Sequence, residues 1–344
     1  MVAFLRRHVA FLAFAVVMMG LPFFTSNTYY LSVLAFTATR LMTSLGLNLL
    51  MGQAGQISLG HAAFVGMGAY GSAILTTRFG MNPWLAMVVA AVVAAVVAGI
   101  IGIPTTKLKG HYLAMATLGF GEIVLILLIQ VKSITKGTDG ITGIPSLAIG
   151  NLVFTQYNPR AMHLLLWGVA LLMLRMSLNL ADSRVGRALK GLHRAEVAAT
   201  SLGVDATFHK VQAFMISAVF ASIAGSFTAH YVQYISPGSF TLTFSVLLVT
   251  GVVIGGLGSI WGAVWGTLVM MILPEYLKQY EDATNLVFGI LVIVIMIFLP
   301  GGLVSLGSAL GKLRTRVGGR DRRAADTSDP GSLEGNARRP GGAA

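Results

Sequence analysis

Few residues in this chain could do chemistry, and most of those sit in apolar surroundings. Glu122 and Arg40 each fall inside a long apolar stretch. A charge at membrane depth is costly unless it is paired or wet. Arg40 is the natural candidate partner of Glu122. Together or separately they either line a translocation path or gate, or serve as a structural ion pair or a hydrogen bond to a neighbouring helix. Asn48, Gln53, Gln56 and Ser58 form a polar patch in otherwise apolar sequence. It reads first as a helix break that satisfies its own backbone, with path lining as the alternative. His61, beside a Gly-rich run, reads as a packing residue. No metal-spaced cluster of His, Asp or Glu occurs, and there is no cysteine. The Gly-Lys within Gly307–Leu313 lacks the spacing and the hydroxyl of a phosphate-binding loop, so no nucleotide site is expected. Neither a metal, a cofactor nor a catalytic constellation is expected, and an enzyme is the least favoured class.

The segment Asp182–Gly203 is the most informative. Asp182 or Ser183 can cap a helix start. Val185, Ala188, Leu189 and Leu192 follow the spacing of one apolar helical face, while Arg184, Arg187, Lys190 and Arg194 lie elsewhere on it. A second short turn, Ala195–Leu202, ends at Gly203, a suitable residue just past a helix C-terminus. Two such amphipathic helices either dock in a groove of a partner or lie on lipid headgroups.

These residues must be positioned by membrane helices. Of 344 residues, 55% are apolar and only 10% charged, too few charges to cover a soluble surface. The apolar residues come in blocks near the ~20 needed to cross a bilayer. An all-α, polytopic membrane protein of about ten spans is expected, over roughly 8–25, 30–51, 59–77, 84–103, 111–131, 161–180, 210–231, 241–257, 259–273 and 284–300. The second and third can break or tilt around Gly52–Gly60. Gly258, Gly262 and Gly266 recur every four residues, a pattern that lets helices pack closely. Ala69, Ser72 and Ala73 form a weaker stripe. Trp84, Trp167, Trp261 and Trp265 are expected as interfacial anchors.

The net charge of +12 does not point to nucleic acid, because no folded module interleaves basic and aromatic residues. With the N-terminus inside, 17 Lys and Arg fall on the inner side and 5 on the outer. The positive-inside rule therefore favours an even number of spans with both termini cytoplasmic. The first span follows Arg6 and Arg7 without a small-residue cleavage site and is expected to be retained. Residues 1–311 read as the membrane domain. Residues 312–344, with eight basic residues, read as a disordered tail whose start can rest on anionic lipid.

The segment Glu196-Val-Ala-Ala-x3-Gly203 resembles the cytoplasmic loop of ABC importer permeases. Further stretches resemble one branch, the branched-chain amino acid permeases of LivM type. They are Leu45–Phe64, Gly66–Tyr70, Thr117–Ile123, Gly140–Pro145, Ile235–Phe240 and Gly255–Gly262. They occur in family order across residues 40–305. Lys136-Gly-Thr-Asp departs from the family's usual Gly-Gly-Pro-Asn. The resemblance implies a fold of the vitamin B12 importer type, with ten spans. It implies a heterodimer with a sister permease, two cytoplasmic ATPase subunits and a periplasmic binding protein, in the inner membrane of a bacterium. Residues 182–203 would couple to the ATPases, through Arg184, Gly186, Arg187, Leu189, Glu196, Ala198, Ala199 and Gly203. Urea or amides, other amino acids or a sugar stay open as cargo. An ion-coupled transporter or channel is the alternative from another class.

Overall fold

The computed structural model describes residues 2–25, 27–150, 152–277, 289–290, 293, 297 and 301–305, with side chains from Val9 onward. Tail 312–344, most of the tenth expected span, and the side chains of Arg6 and Arg7 lie outside the described residues. Among the described residues the chain is a helical bundle. Its helices are α1 (Val2–Phe24), α2 (Thr28–Asn48), α3 (His61–Phe79), α4 (Pro83–Thr105), α5 (His111–Gln130), α6 (Lys132–Thr135), α7 (Pro159–Asp182), α8 (Arg184–Arg194), α9 (Glu196–Ser201), α10 (Ala206–Val232), α11 (Leu242–Gly255) and α12 (Ile260–Leu277).

Six segments are long and apolar enough to cross a membrane: Thr28–Gln53, Pro83–Thr105, His111–Gln130, Pro159–Asp182, Ala206–Val232 and Pro237–Gly255. Val9–Phe24 and Ile260–Tyr276 are shorter apolar helices. Starts are set by local chemistry: the side chains of Asn27, Asn82, Asn158 and Asp205 accept hydrogen bonds from the first turns of α2, α4, α7 and α10. The segment between α6 and α7, expected to be a loop, holds short strands. The hairpin β2 (Leu147–Ile149) with β3 (Leu152–Phe154) is antiparallel. β1 (Ile141–Thr142) pairs with β4 (Tyr234–Ile235), with Ile141 opposite Ile235. That pairing ties the Gly140–Pro145 run to the end of α10, where His230 Nδ1 lies 2.7 Å from the carbonyl oxygen of Pro145.

α10 is the centre of the bundle, packed on α2, α3 and α4. The crossings are close because small residues meet. A side chain at Gly225 of α10 would collide with the carbonyl of Val65, and one at Gly68 of α3 with the carbonyl of Ser222. Without a hydrophobic driving force inside a bilayer, such contacts and interhelical hydrogen bonds hold helices together. Ser226 donates to Gly68 O at 2.9 Å, and Ser217 to Gly46 O at 2.7 Å. Trp167 is fully buried, donates from Nε1 to Leu34 O at 3.0 Å and meets Phe14 edge-on. It is a core residue and not the interfacial anchor expected from its type.

Candidate functional site

At one end of the bundle, α8 and α9 form a hairpin-like pair after α7. Ser183 Oγ accepts from Gly186 N at 3.2 Å and caps α8. Gly186 is required by crowding, since a Cβ there would strike the carbonyl oxygen of Leu180. Arg187 donates to Asp182 O at 2.7 Å and Lys190 to Ala181 O at 2.8 Å. Both cations thus serve the carbonyl end of α7, where positive charge is favoured. Leu189 and Leu192 are buried, whereas Arg184 and Arg194 are exposed.

Glu196 is held within the chain. Lys210 of α10 donates from Nζ to its Oε1 at 2.6 Å, and Lys109 Nζ lies 3.9 Å from its Oε2. Ala199 is buried and Ala198 exposed, so α9 has a packed and a free face. Gly203 has φ +87°. Its N–H reaches Thr200 O at 2.9 Å and that of Val204 reaches Ala199 O at 3.2 Å, the paired bonds of a Schellman ending. Nothing lies within 4 Å of a Cβ built at Gly203, so its requirement is conformational. Gly203→Val is expected to cost about 1–3 kcal/mol locally. Amide exchange over residues 195–205 should accelerate tenfold or more with the bundle unchanged, as read by hydrogen–deuterium exchange.

The outward face of α9 was not legible as a surface in the sequence. Val197 is 77% exposed and Leu202, just past the end of α9, 85%, and Phe208 at the start of α10 is also exposed. The signal was present in Val197, two residues from Ala199 and so nearly opposite it on the helix.

α8 touches the break after α2. Residues Leu49–Gln53 form a wide turn in which Ala54 N bonds Leu49 O, and Gly55 follows with φ +70°. A Cβ at Gly55 would come 2.7 Å from His193 Cδ2 of α8. The break is real, but its polar side chains do not serve their own backbone as expected. Asn48 Nδ2 donates to Ser259 O at 2.6 Å and its Oδ1 accepts from Gly258 N at 3.2 Å. Gln53 Nε2 donates to Gly258 O at 2.6 Å. Both side chains are buried and hold the α11–α12 turn. Gln56 lines a cavity of about 130 Å³ with Glu196, Lys210 and His193. Beyond the break, Thr117 Oγ1 of α5 accepts from Leu59 N at 3.1 Å.

α11 and α12 pack glycine to glycine: side chains at Gly255 and Gly266 would strike the carbonyls of Gly262 and Gly251. Gly258, at φ +82°, belongs instead to the turn held by Asn48.

Glu122 and Arg40 are not brought together. Glu122, half-buried on α5, sits with Leu59, Thr241 and Ser245. The Arg40 guanidinium stacks on the Phe244 ring, 3.9 Å from its centroid. A desolvated stack of this kind is worth about 2 kcal/mol. Arg40 and Phe244 border two cavities of about 290 and 270 Å³. Among the described residues no group of acidic residues or histidines could hold a metal ion.

Residues 29–299 match the family described as the branched-chain amino acid transport system permease component. The chain belongs to this family. Such a permease from Salmonella typhimurium, the high-affinity system's LivM, is 32% identical over 90% of this chain and 78% of its own length. LivM of Escherichia coli K12 is 32% identical over 88% of this chain and 76% of its own. LivH of Salmonella typhimurium is also similar, at 25% identity over 78% of this chain and 91% of its own length. No solved structure matches. As a permease component, the chain is a multi-pass membrane protein, and it needs the contacts described above to connect its surface helices to its spans.

Proposed function

We propose that the chain is one permease subunit of an ATP-driven importer of branched-chain or related amino acids. It pairs with a sister permease, as the LivM and LivH names of its relatives support, since both are permeases of a branched-chain system. Two ATPase subunits bind residues 182–203, and a periplasmic binding protein delivers the solute and sets most of the selectivity. The chain lies in a bacterial inner membrane with both termini cytoplasmic and ten spans of the vitamin B12 importer type. Residues 1–311 form the membrane domain and 312–344 a basic cytoplasmic tail.

One observation carries this reading. Val197 on α9 and Leu202 just past its end stand exposed, while Glu196, at the start of the same short helix, is braced by Lys210. Exposed apolar side chains on and just after a helix fixed to the bundle suit insertion into a cleft of another protein. Lipid headgroups alone would not call for the rigid attachment.

Coupling then follows contacts already described. A push on α8 reaches the break through His193 and Gly55. Asn48 and Gln53 pass it to the α11–α12 turn. ATP closure can shift the bundle only if it binds one arrangement of these parts better than the other. Glu122 fits the same picture. A half-buried carboxylate in a spanning helix cannot face lipid cheaply, so that side of α5 borders the path or the sister subunit.

The test is reconstitution. Vesicles holding the chain, its sister permease, the ATPases and the binding protein should accumulate leucine only with ATP present. Vesicles holding the chain alone should move no solute in response to an ion gradient. Gradient-driven uptake without an ATPase would overturn the reading.

A further inference from the structure

We infer that Arg40 reads the carboxylate of the transported solute at a site inside the membrane domain, in the cavities it shares with Phe244. This rests on the importer reading above and adds to it a solute site within the permease itself.

The larger cavity, about 290 Å³, lies between α2, α11 and α12. Small-molecule pockets begin at roughly this size. Its wall is mostly aliphatic, with Leu247, Leu248, Met270 and Met271. Arg40 is the one formal charge on that wall. Its guanidinium stacks on Phe244 and, among the described residues, makes no hydrogen bond or ion pair. An arginine fork matches a carboxylate in two parallel hydrogen bonds. At this half-buried position such a bond is stronger than in water.

Two hydroxyl residues belong to the same wall. Thr267 is 3% exposed, and its Oγ1 is buried without a hydrogen-bond partner among the described residues. Ser44, also buried, lines the same cavity. These hydroxyls can accept from an ammonium group. One cationic fork, two hydroxyl acceptors and an aliphatic wall describe an amino acid with an apolar side chain.

The second cavity, about 270 Å³, lies on the side of β4, with Tyr234 and Ser239 in its wall. Arg40 and Phe244 border both spaces. A carboxylate can therefore keep its partner while the solute passes from one cavity to the other, and Phe244 holds the guanidinium between transits. The mostly aliphatic wall of the larger cavity gives little discrimination among apolar side chains, in keeping with selectivity set elsewhere.

The test uses the full complex in vesicles of neutral lipid, with leucine uptake and ATP hydrolysis stimulated by the binding protein measured together. Arg40→Gln is expected to lower uptake at least tenfold while stimulated hydrolysis stays within twofold, and Arg40→Lys to recover part of the loss. Leu248→Trp, which fills the larger cavity without touching the charge, should lower uptake to a similar degree. In nanodiscs of the same lipid, 3-methylbutanoate should displace radiolabelled leucine at least tenfold better than 3-methylbutylamine, and Arg40→Gln should erase that difference. Uptake within twofold of wild type in both Arg40→Gln and Leu248→Trp, or equal competition by the acid and the amine, overturns the site. A wild-type complex that moves no leucine overturns the importer reading instead.

Discussion

Gly225→Val should prevent the bundle from closing. The α3–α10 crossing brings Gly68 and Gly225 against the backbone of the facing helix, and a side chain at Gly225 would occupy the position of the Val65 carbonyl. The obstacle is backbone, so no rotamer change relieves it. Ser226, whose hydroxyl reaches Gly68 O at 2.9 Å, would lose its partner as the helices part. Overpacking of a well-filled contact costs about 1–3 kcal/mol, and about 3 kcal/mol or more is expected where backbone blocks relaxation. The natural control is Gly119→Val on α5, where a Cβ meets nothing within 4 Å. Thermal unfolding in detergent should separate the two variants clearly, with Gly119→Val close to wild type. Equal losses in both would mean that the crossing does not limit stability.

Reversing the charge at Glu196 should abolish transport and leave insertion intact. Lys210 is buried and its Nζ sits 2.6 Å from the carboxylate, so Glu196→Lys places two cations in contact at the root of α9. Lys109, 3.9 Å away, adds to the repulsion. Removing one member of a buried pair typically costs about 3–5 kcal/mol. The carboxylate here is about a third exposed, which lowers that figure through screening. The loss is local, and it frees the surface that carries Val197 and Leu202. Uptake should fall at least tenfold with normal membrane levels. The exchanged pair, Glu196→Lys with Lys210→Glu, should recover much of it, because the brace lies within the chain. If the exchange restores nothing, Glu196 acts through a partner and its contact with Lys210 is incidental.

The two positions differ in how far they can be read from the chain. Glu196 stands out by its motif, and the cap of the preceding helix at Ser183 and the ending of its own at Gly203 follow from local residue types. Gly225 does not stand out, although Ala221, Gly225 and Ala229 repeat every four residues just as Gly258, Gly262 and Gly266 do. A small-residue stripe shows that something packs closely. It does not say which helix arrives.

The same division runs through the whole molecule. Composition, apolar block length and capping chemistry are local properties, so the helical membrane class, most helix positions and the amphipathic pair after α7 could be read from the sequence alone. The break after α2 was legible as well, because glycines and amides cluster there. The partners of long polar side chains were not, since they depend on which distant segment is brought near. Asn48 and Gln53 hold a turn some two hundred residues away. Arg40 stacks on Phe244 while Glu122 lies against another part of the bundle. Trp167, an anchor by type, is a core residue by position. Tertiary structure alone decides such pairings, because a buried donor takes the acceptor that packing delivers to it, and no spacing along the chain encodes that meeting.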